Sequence, residues 1–311
     1  MSAIIQVKNL VKDFREIKAV DDLSFEVPEG LVYGFLGQNG AGKSTTIRML
    51  LTLVKPTDGE IRIFGADLKK NRKEILRHVG AIIERPDLYK YLSGIENLRI
   101  FATMSGVRVT KKKLMDELDR VGLADRASSK VKTYSQGMKQ RLGIATALIH
   151  DPKLIILDEP TNGLDPLGIA DIRNLILHLS KDLHKTVFIS SHLLSEMELI
   201  ADAMLIIDKG KKVVEGNAHE LFDPAKTMVQ LKTTDDAAAY GKLETSELKN
   251  VLHEKRNDSI ILKLHRDEIP ALIKKLVQMD IGLISFDSRH SLEDYFFSLT
   301  TGQQHVESFK H

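Results

Sequence analysis

Val32-Tyr33-Gly34-Phe35-Leu36 runs straight into Gly37-Gln38-Asn39-Gly40-Ala41-Gly42-Lys43-Ser44, and a helical pattern over 47–54 follows. A five-residue run that is apolar apart from one glycine is expected to be buried on both faces, as strands of a parallel sheet are. The next eight residues satisfy the phosphate-loop pattern, with the strand before and the helix after that the pattern requires. Glycines let this backbone fold tightly, so that successive N–H groups and the helix N-terminus point at one anion. Lys43 then neutralises β/γ-phosphate charge, and Ser44 can ligate Mg²⁺. A glycine-rich turn with a solvated lysine is the alternative, and the flanking strand and helix disfavour it.

Outward from this segment, buried runs recur at 79–83, 154–157, 186–189 and 204–207, with helical patterns between them. That alternation is α/β organisation. Upstream, Leu23, Phe25 and Val27 alternate with polar neighbours as a strand does before Pro28, Glu29 and Gly30 break the run. The 154–157 run ends in Asp158 and Glu159, where an α/β sheet presents its ligand-binding edge. Neighbouring strand residues point apart, so Asp158 is read as holding Mg²⁺ through its water shell and Glu159 as the general base for an attacking water. Surface capping is the alternative for this pair.

Tyr134-Ser135-Gln136-Gly137-Met138 precedes a helix that carries Met138, Leu142, Ala145 and Ile149 on one face. Its N-terminus is a second candidate anion site, and plain N-capping by Ser135 is the alternative.

Composition narrows the partner classes. Counting glycine and leaving out tyrosine, apolar residues make up about 46% of the 311, inside the usual globular range of roughly 45–50%. Charges of 45 and 43 leave a net +2, spread along the chain, which disfavours a DNA-coating protein. With 5% aromatics and no Trp there is little material for base-stacking platforms, so no nucleic-acid partner is expected. The absence of Cys excludes disulfides, thiolate nucleophiles and Cys-ligated metals, and fits a reducing cytosol. No run reaches the roughly 18 apolar residues of a membrane span, and the first twenty residues carry charges where a signal peptide would be apolar.

Taken in order, these motifs resemble the ATP-binding cassette family, the motor subunits of ABC transporters, over about residues 3–220. Gly37 through Ser44 with Thr45 match the family's Walker A, Tyr134 to Met138 its signature, and 154–159 its Walker B. Phe14 matches the aromatic that stacks on adenine, Asn162-Gly163-Leu164-Asp165 the D-loop, and His192 the switch histidine. The resemblance implies two Mg-ATP in a head-to-tail homodimer or paired cassette. Ser135, Gln136, Gly137 and Asp165 of one subunit would then close on the ATP held by the other. It also implies a permease on separate membrane-spanning chains and a cytoplasmic position at the inner face of the cell membrane.

Two residues groups depart from the usual pattern. Tyr134, Gln136 and Met138 replace Leu, Gly and Gln of the signature, while the phosphate-facing Ser135 and Gly137 remain. Glu84 stands where most of the family has a metal-watching glutamine, and a glutamate there resembles bacitracin-type and lantibiotic-immunity exporters. Drug, antibiotic or peptide export is therefore expected, with Glu84 in both a metal and a catalytic role. Bland readings stand beside these: a core Phe14, a helix-start His192, a solvated Glu84, and a solvated helix face for Lys111, Lys112 and Lys113.

The expected architecture is an α/β P-loop NTPase cassette, with a mixed sheet and a helical subdomain, over 1–222, and a small α+β domain over 223–311. The boundary rests on Pro224 and a polar stretch over 233–239. Ile260, Leu262 and Leu264 read as a strand, Asp267 and Pro270 open a helix reaching Met279, and 281–286 returns as a strand. Ser291 and Asp294 have capping-box spacing for a last helix, and Leu292-Glu293-Asp294-Tyr295-Phe296 resembles a motif of accessory domains on some bacterial exporter ATPases. A soluble cassette ATPase acting on nucleic acid or the ribosome is the competing reading. It lacks the tandem motifs or the long coiled coil that such proteins carry.

Overall fold

The computed structural model describes residues 2–223, 227–256 and 259–290. Their contacts divide the chain into two compact units, residues 1–217 and 218–311.

In the first unit, β1 (Ala3–Asp13), β2 (Lys18–Pro28), β4 (Asp58–Ile63) and β5 (Ala66–Asp67) form an antiparallel sheet in the order β2-β1-β4-β5. A second sheet has the order β10-β9-β3-β8-β7-β6 among the described residues. It comprises β3 (Val32–Leu36), β6 (Val79–Ile82), β7 (Leu154–Asp158), β8 (Thr186–Ser191), β9 (Ala203–Asp208) and β10 (Lys211–Asn217). Its pairs are parallel except for β9 with β10. β3, β7 and β8 are buried at every position, as strands inside a covered parallel sheet are, and the burial takes in Asp158, Thr186, Ser190 and Ser191 as well as the apolar runs. At 79–83 the expectation of a strand buried on both faces fails: β6 closes the sheet edge, Ala81 is exposed, and the strand stops at Ile82.

Aromatic packing ties the two sheets together. Phe25 of β2 stacks on Phe35 of β3 and Phe188 of β8 at ring-centroid distances of 5.8 and 6.2 Å, and Tyr33 lies 5.8 Å from Phe188. All four rings are buried, each contributing roughly 1.5–3 kcal/mol through burial. The phosphate-loop helix α1 (Lys43–Leu50) packs on both β2 and β7, while α2 (Arg72–Leu76) covers β6. A helical layer of α3 (Gly94–Met104), α4 (Lys111–Arg120) and α5 (Gln136–Leu148) is mutually packed, with α5 also against β6. Lys111, Lys112 and Lys113 are exposed on α4. α6 (Pro166–Lys181) and α7 (Leu194–Glu198) pack on β8.

The second unit begins with α8 (Ala218–Leu221) and then runs β11 (Thr227–Thr233), α9 (Asp236–Glu244), β12 (Leu252–Arg256), β13 (Ser259–Leu264), α10 (Ile269–Gln278) and β14 (Leu283–His290). Its sheet order is β12-β13-β11-β14, with every neighbouring pair antiparallel. From β11 onward this is the β-α-β-β-α-β arrangement of ferredoxin-like folds. Val229, Leu231, Ile260, Leu262, Leu272 and Leu276 centre its core. The polar stretch expected over 233–239 instead ends β11 and begins α9, whose N-terminus is capped by Asp235 accepting from Ala237 and Ala238. Pro224, the last helix expected from Ser291, and the motif from Leu292 to Phe296 lie outside the described residues.

Candidate functional site at the carboxyl edge of the parallel sheet

Four adjacent parallel strands deliver the candidate residues to one edge. β3 ends in the phosphate loop, β8 leads to His192, β7 to Glu159, and β6 to Glu84 by way of Ile83. Registers fix the levels, with Leu36 opposite Ser191 and Asp158 opposite Ser190. Ligands of open α/β sheets bind outside these carboxyl ends.

Two of the loop glycines, Gly37 and Gly42, are sterically required. A Cβ on Gly37 would stand 2.6 Å from the Ile207 carbonyl oxygen, and one on Gly42 2.4 Å from that of Ala19; Gly42 also has φ +104°. Gly42 opens α1 without a side-chain cap, and the first turn holds no acid, so the helix N-terminus offers its N–H groups and positive dipole end to an anion. Gln38, Asn39, Gly40, Ser44 and Thr45 line a cavity of about 330 Å³ with Lys43. The buried Ala41 donates its N–H to the Gln38 carbonyl. Lys18 and Lys209 line the same cavity, two cations that the motif alone did not reveal.

Lys43 is only 4% exposed. Its ammonium donates to the carbonyls of Gly37 (2.7 Å) and Gln38 (3.2 Å) and pairs with Glu159 Oε1 at 3.1 Å. The other oxygen, Glu159 Oε2, lies 2.7 Å from His192 Nδ1. Three candidates from three strand ends therefore form one chain: Lys43, Glu159, His192.

Asp158 is 1% exposed; its Oδ1 accepts from the Ser190 hydroxyl, and its Oδ2 is buried without a hydrogen-bond partner among the described residues. A buried carboxylate oxygen left without a partner carries a desolvation cost that a hydrated cation would offset. Asp158 lines a second cavity, of about 410 Å³, with Ser44, Glu84 and Glu159. No group of three or more His, Asp or Glu residues among the described residues could hold a metal by itself. An Mg²⁺ site built from one carboxylate, one hydroxyl, phosphate oxygens and water needs no such cluster, so Ser44 and Asp158 fit the ion. Glu84 sits at the rim of this cavity, 63% exposed, with φ +57° and its carboxylate bonded to the Arg48 guanidinium.

Ser135, Gln136 and Gly137 open α5. The Ser135 hydroxyl accepts from the Met138 N–H at 3.2 Å, which is the capping role, and a Cβ on Gly137 would meet nothing within 4 Å. Gln136 and the buried Gln140 reach the Ser44–Asp158 cavity of their own chain. Tyr134 is buried and donates to the Arg126 carbonyl at 2.6 Å; burial raises its pKa. Asp165 caps α6 by accepting from the Gly168 N–H. Phe14 does not line the cavity beside the phosphate loop; it is half exposed beneath the Lys12 ammonium, and its backbone N–H bonds to Ile17, which does line it.

The chain is similar to known proteins along nearly its whole length. Residues 20–162 match the ABC transporter family. The bacitracin transport ATP-binding protein BcrA of Bacillus licheniformis is 45% identical over 306 residues, covering 97% of this chain and 99% of that protein. YhcH of Bacillus subtilis (strain 168), named as an uncharacterized ABC transporter ATP-binding protein, is 43% identical over 306 residues, covering 96% and 97%. The solved ADP conformation of an ATP-binding cassette of an ABC transporter aligns with a TM-score of 0.64 and 26% identity, covering 71% of this chain and 93% of that one. The chain belongs to the ABC transporter ATP-binding proteins, and it is an ATP-binding ATPase of that family. Among the described residues, no helix is long and apolar enough to cross a membrane.

Proposed function

We propose that the chain binds Mg-ATP on its phosphate loop, hydrolyses it as half of a head-to-tail dimer, and drives a separate membrane permease that exports a drug, antibiotic or peptide. The chain Lys43–Glu159–His192, beside the unpartnered Oδ2 of Asp158, carries this reading. Phosphate oxygens arriving at Lys43 compete with Glu159 for its ammonium. Glu159 Oε1 is then freed to accept a proton from water, while His192 keeps hold of Oε2. Ser44 and Asp158 would hold Mg²⁺, which supplies charge neutralisation at the phosphates. Ile17 and the exposed ring of Phe14 offer apolar surface to adenine.

Dimer closure is supported by Ser135 and Gly137, which nothing in the described chain explains beyond capping. The name of the BcrA relative supports antimicrobial-peptide export over action on nucleic acid. A working position at the inner face of the cell membrane follows from pairing with a permease. The 218–311 unit is an accessory domain in this reading, and no chemistry is assigned to it.

Lys43→Ala tests the phosphate-loop assignment. ATP affinity is expected to fall about 100-fold or more, the scale of losing charge-assisted hydrogen bonds to phosphate, with Lys18 and Lys209 left to provide residual attraction. Calorimetry showing unchanged Mg-ATP affinity would refute it.

A further inference from the structure

Ser190 lies on β8 in register with Asp158 of β7 and is fully buried. Its hydroxyl donates to Asp158 Oδ1 at 2.6 Å and accepts the Glu159 N–H at 2.9 Å. One hydroxyl thus grips two successive residues that have different tasks. With Oδ1 committed to Ser190, Oδ2 is the Asp158 oxygen left for the cavity it shares with Ser44. Glu159 has φ +47°, a left-handed conformation that costs a residue with a Cβ, and the bond to Ser190 holds its N–H there. From that conformation the Glu159 carboxylate reaches Lys43 and His192 together.

We infer that Ser190 is a positioning residue for ATP hydrolysis, setting through one hydroxyl both the metal-side oxygen of Asp158 and the reach of Glu159. The inference rests on the proposed roles of those two acids. A serine that merely filled its place in β8 would affect stability and leave metal dependence untouched.

The full-length Ser190→Ala variant separates these cases. The Mg²⁺ concentration for half-maximal ATPase is expected to rise, and turnover at saturating Mg²⁺ to fall, each by roughly tenfold, the scale of a lost hydrogen bond to a charged group. ATP affinity in EDTA, read by calorimetry, should stay at the wild-type value because the phosphate loop is intact. Mn²⁺ affinity in the presence of a non-hydrolysable ATP analogue, read by electron paramagnetic resonance, should weaken in parallel. Ser190→Thr keeps the hydroxyl and is expected to restore all three quantities; a folded threonine variant as impaired as alanine would contradict the hydroxyl's role. Should the alanine protein not fold, Ser190→Cys, with its weak donor, is expected to shift metal affinity in the same direction. Wild-type Mg²⁺ dependence, Mn²⁺ affinity and turnover in a folded alanine or cysteine variant overturn the inference, whatever the melting temperature does. Glu159→Gln run alongside distinguishes the two levels. If Glu159→Gln is inactive and Ser190→Ala is normal, only the role of Ser190 falls. If Glu159→Gln turns over normally, the general-base reading falls, and the inference with it.

Discussion

The phosphate loop and the start of α5 are both glycine-bearing helix N-termini, yet the chain treats them in opposite ways. Around α1 its own backbone dictates the sequence: carbonyls of Ile207 and Ala19 leave no room for a Cβ at Gly37 or Gly42, and Lys43 is buried among oxygen partners. At α5 the described chain demands little. Ser135 caps its own helix from an exposed position, and Gly137 faces open space although glycine near a helix start gives up stability relative to alanine. The first end is explained by the chain that carries it. The second would be explained by another surface closing on it, as in the head-to-tail dimer proposed above.

Breaking the self-contained end should have the largest effect. Glu159→Gln keeps shape and removes the base, so ATP binding should persist while hydrolysis slows roughly 10²- to 10⁴-fold. Normal turnover would remove Glu159 from the chemistry and dissolve the contrast, since the Lys43–Glu159–His192 chain would then be structural. Ser135→Arg probes the other end. Bulk and charge placed where a partner must close should lower steady-state ATPase by roughly tenfold, the scale of a clash costing about 1–3 kcal/mol, while ATP affinity of the monomer stays unchanged. Loss of monomer affinity would mean that Ser135 serves its own chain's site. Gln136, which lines the Ser44–Asp158 cavity, makes that alternative concrete.

Glu84 stands between the two ends and should give the smallest effect in isolation. Its pair with Arg48 joins two largely exposed side chains, so losing it costs at most about 1 kcal/mol. Glu84→Gln should leave isolated ATPase near wild type with a shifted Mg²⁺ requirement, and lower antibiotic resistance in cells if the charge couples to the permease. Wild-type behaviour in a Mg²⁺ titration and a resistance assay, for both Glu84→Gln and Glu84→Ala, would place Glu84 on the solvated surface.

Much of this site is legible in sequence because its parts are short and contiguous. The run of β3 into Gly37 and the run of β7 into Asp158 and Glu159 announce strand, turn and chemistry within a few residues. What stays hidden depends on residues far apart in the chain. The Ser190 bonds to Asp158 and Glu159 bridge separations of 32 and 31 residues and exist only because β7 and β8 are neighbours in one register. Arg48 and Glu84, 36 apart, meet for similar reasons. β1 escapes pattern reading because register shifts break its alternation between Ala3 and Ile5 and between Val7 and Leu10. α9 escapes because a helix burying only Ala239 and Leu243 has little apolar periodicity to show.

Whether the α5 end is built for a second copy can be measured directly on the Glu159→Gln protein, where bound ATP is expected to persist. Light scattering with and without Mg-ATP should show a 34.9 kDa monomer becoming a species of about twice that mass, and Ser135→Arg in the same background should keep it monomeric. A Glu159→Gln protein that is saturated with ATP by calorimetry yet remains monomeric at every concentration tested would contradict the account.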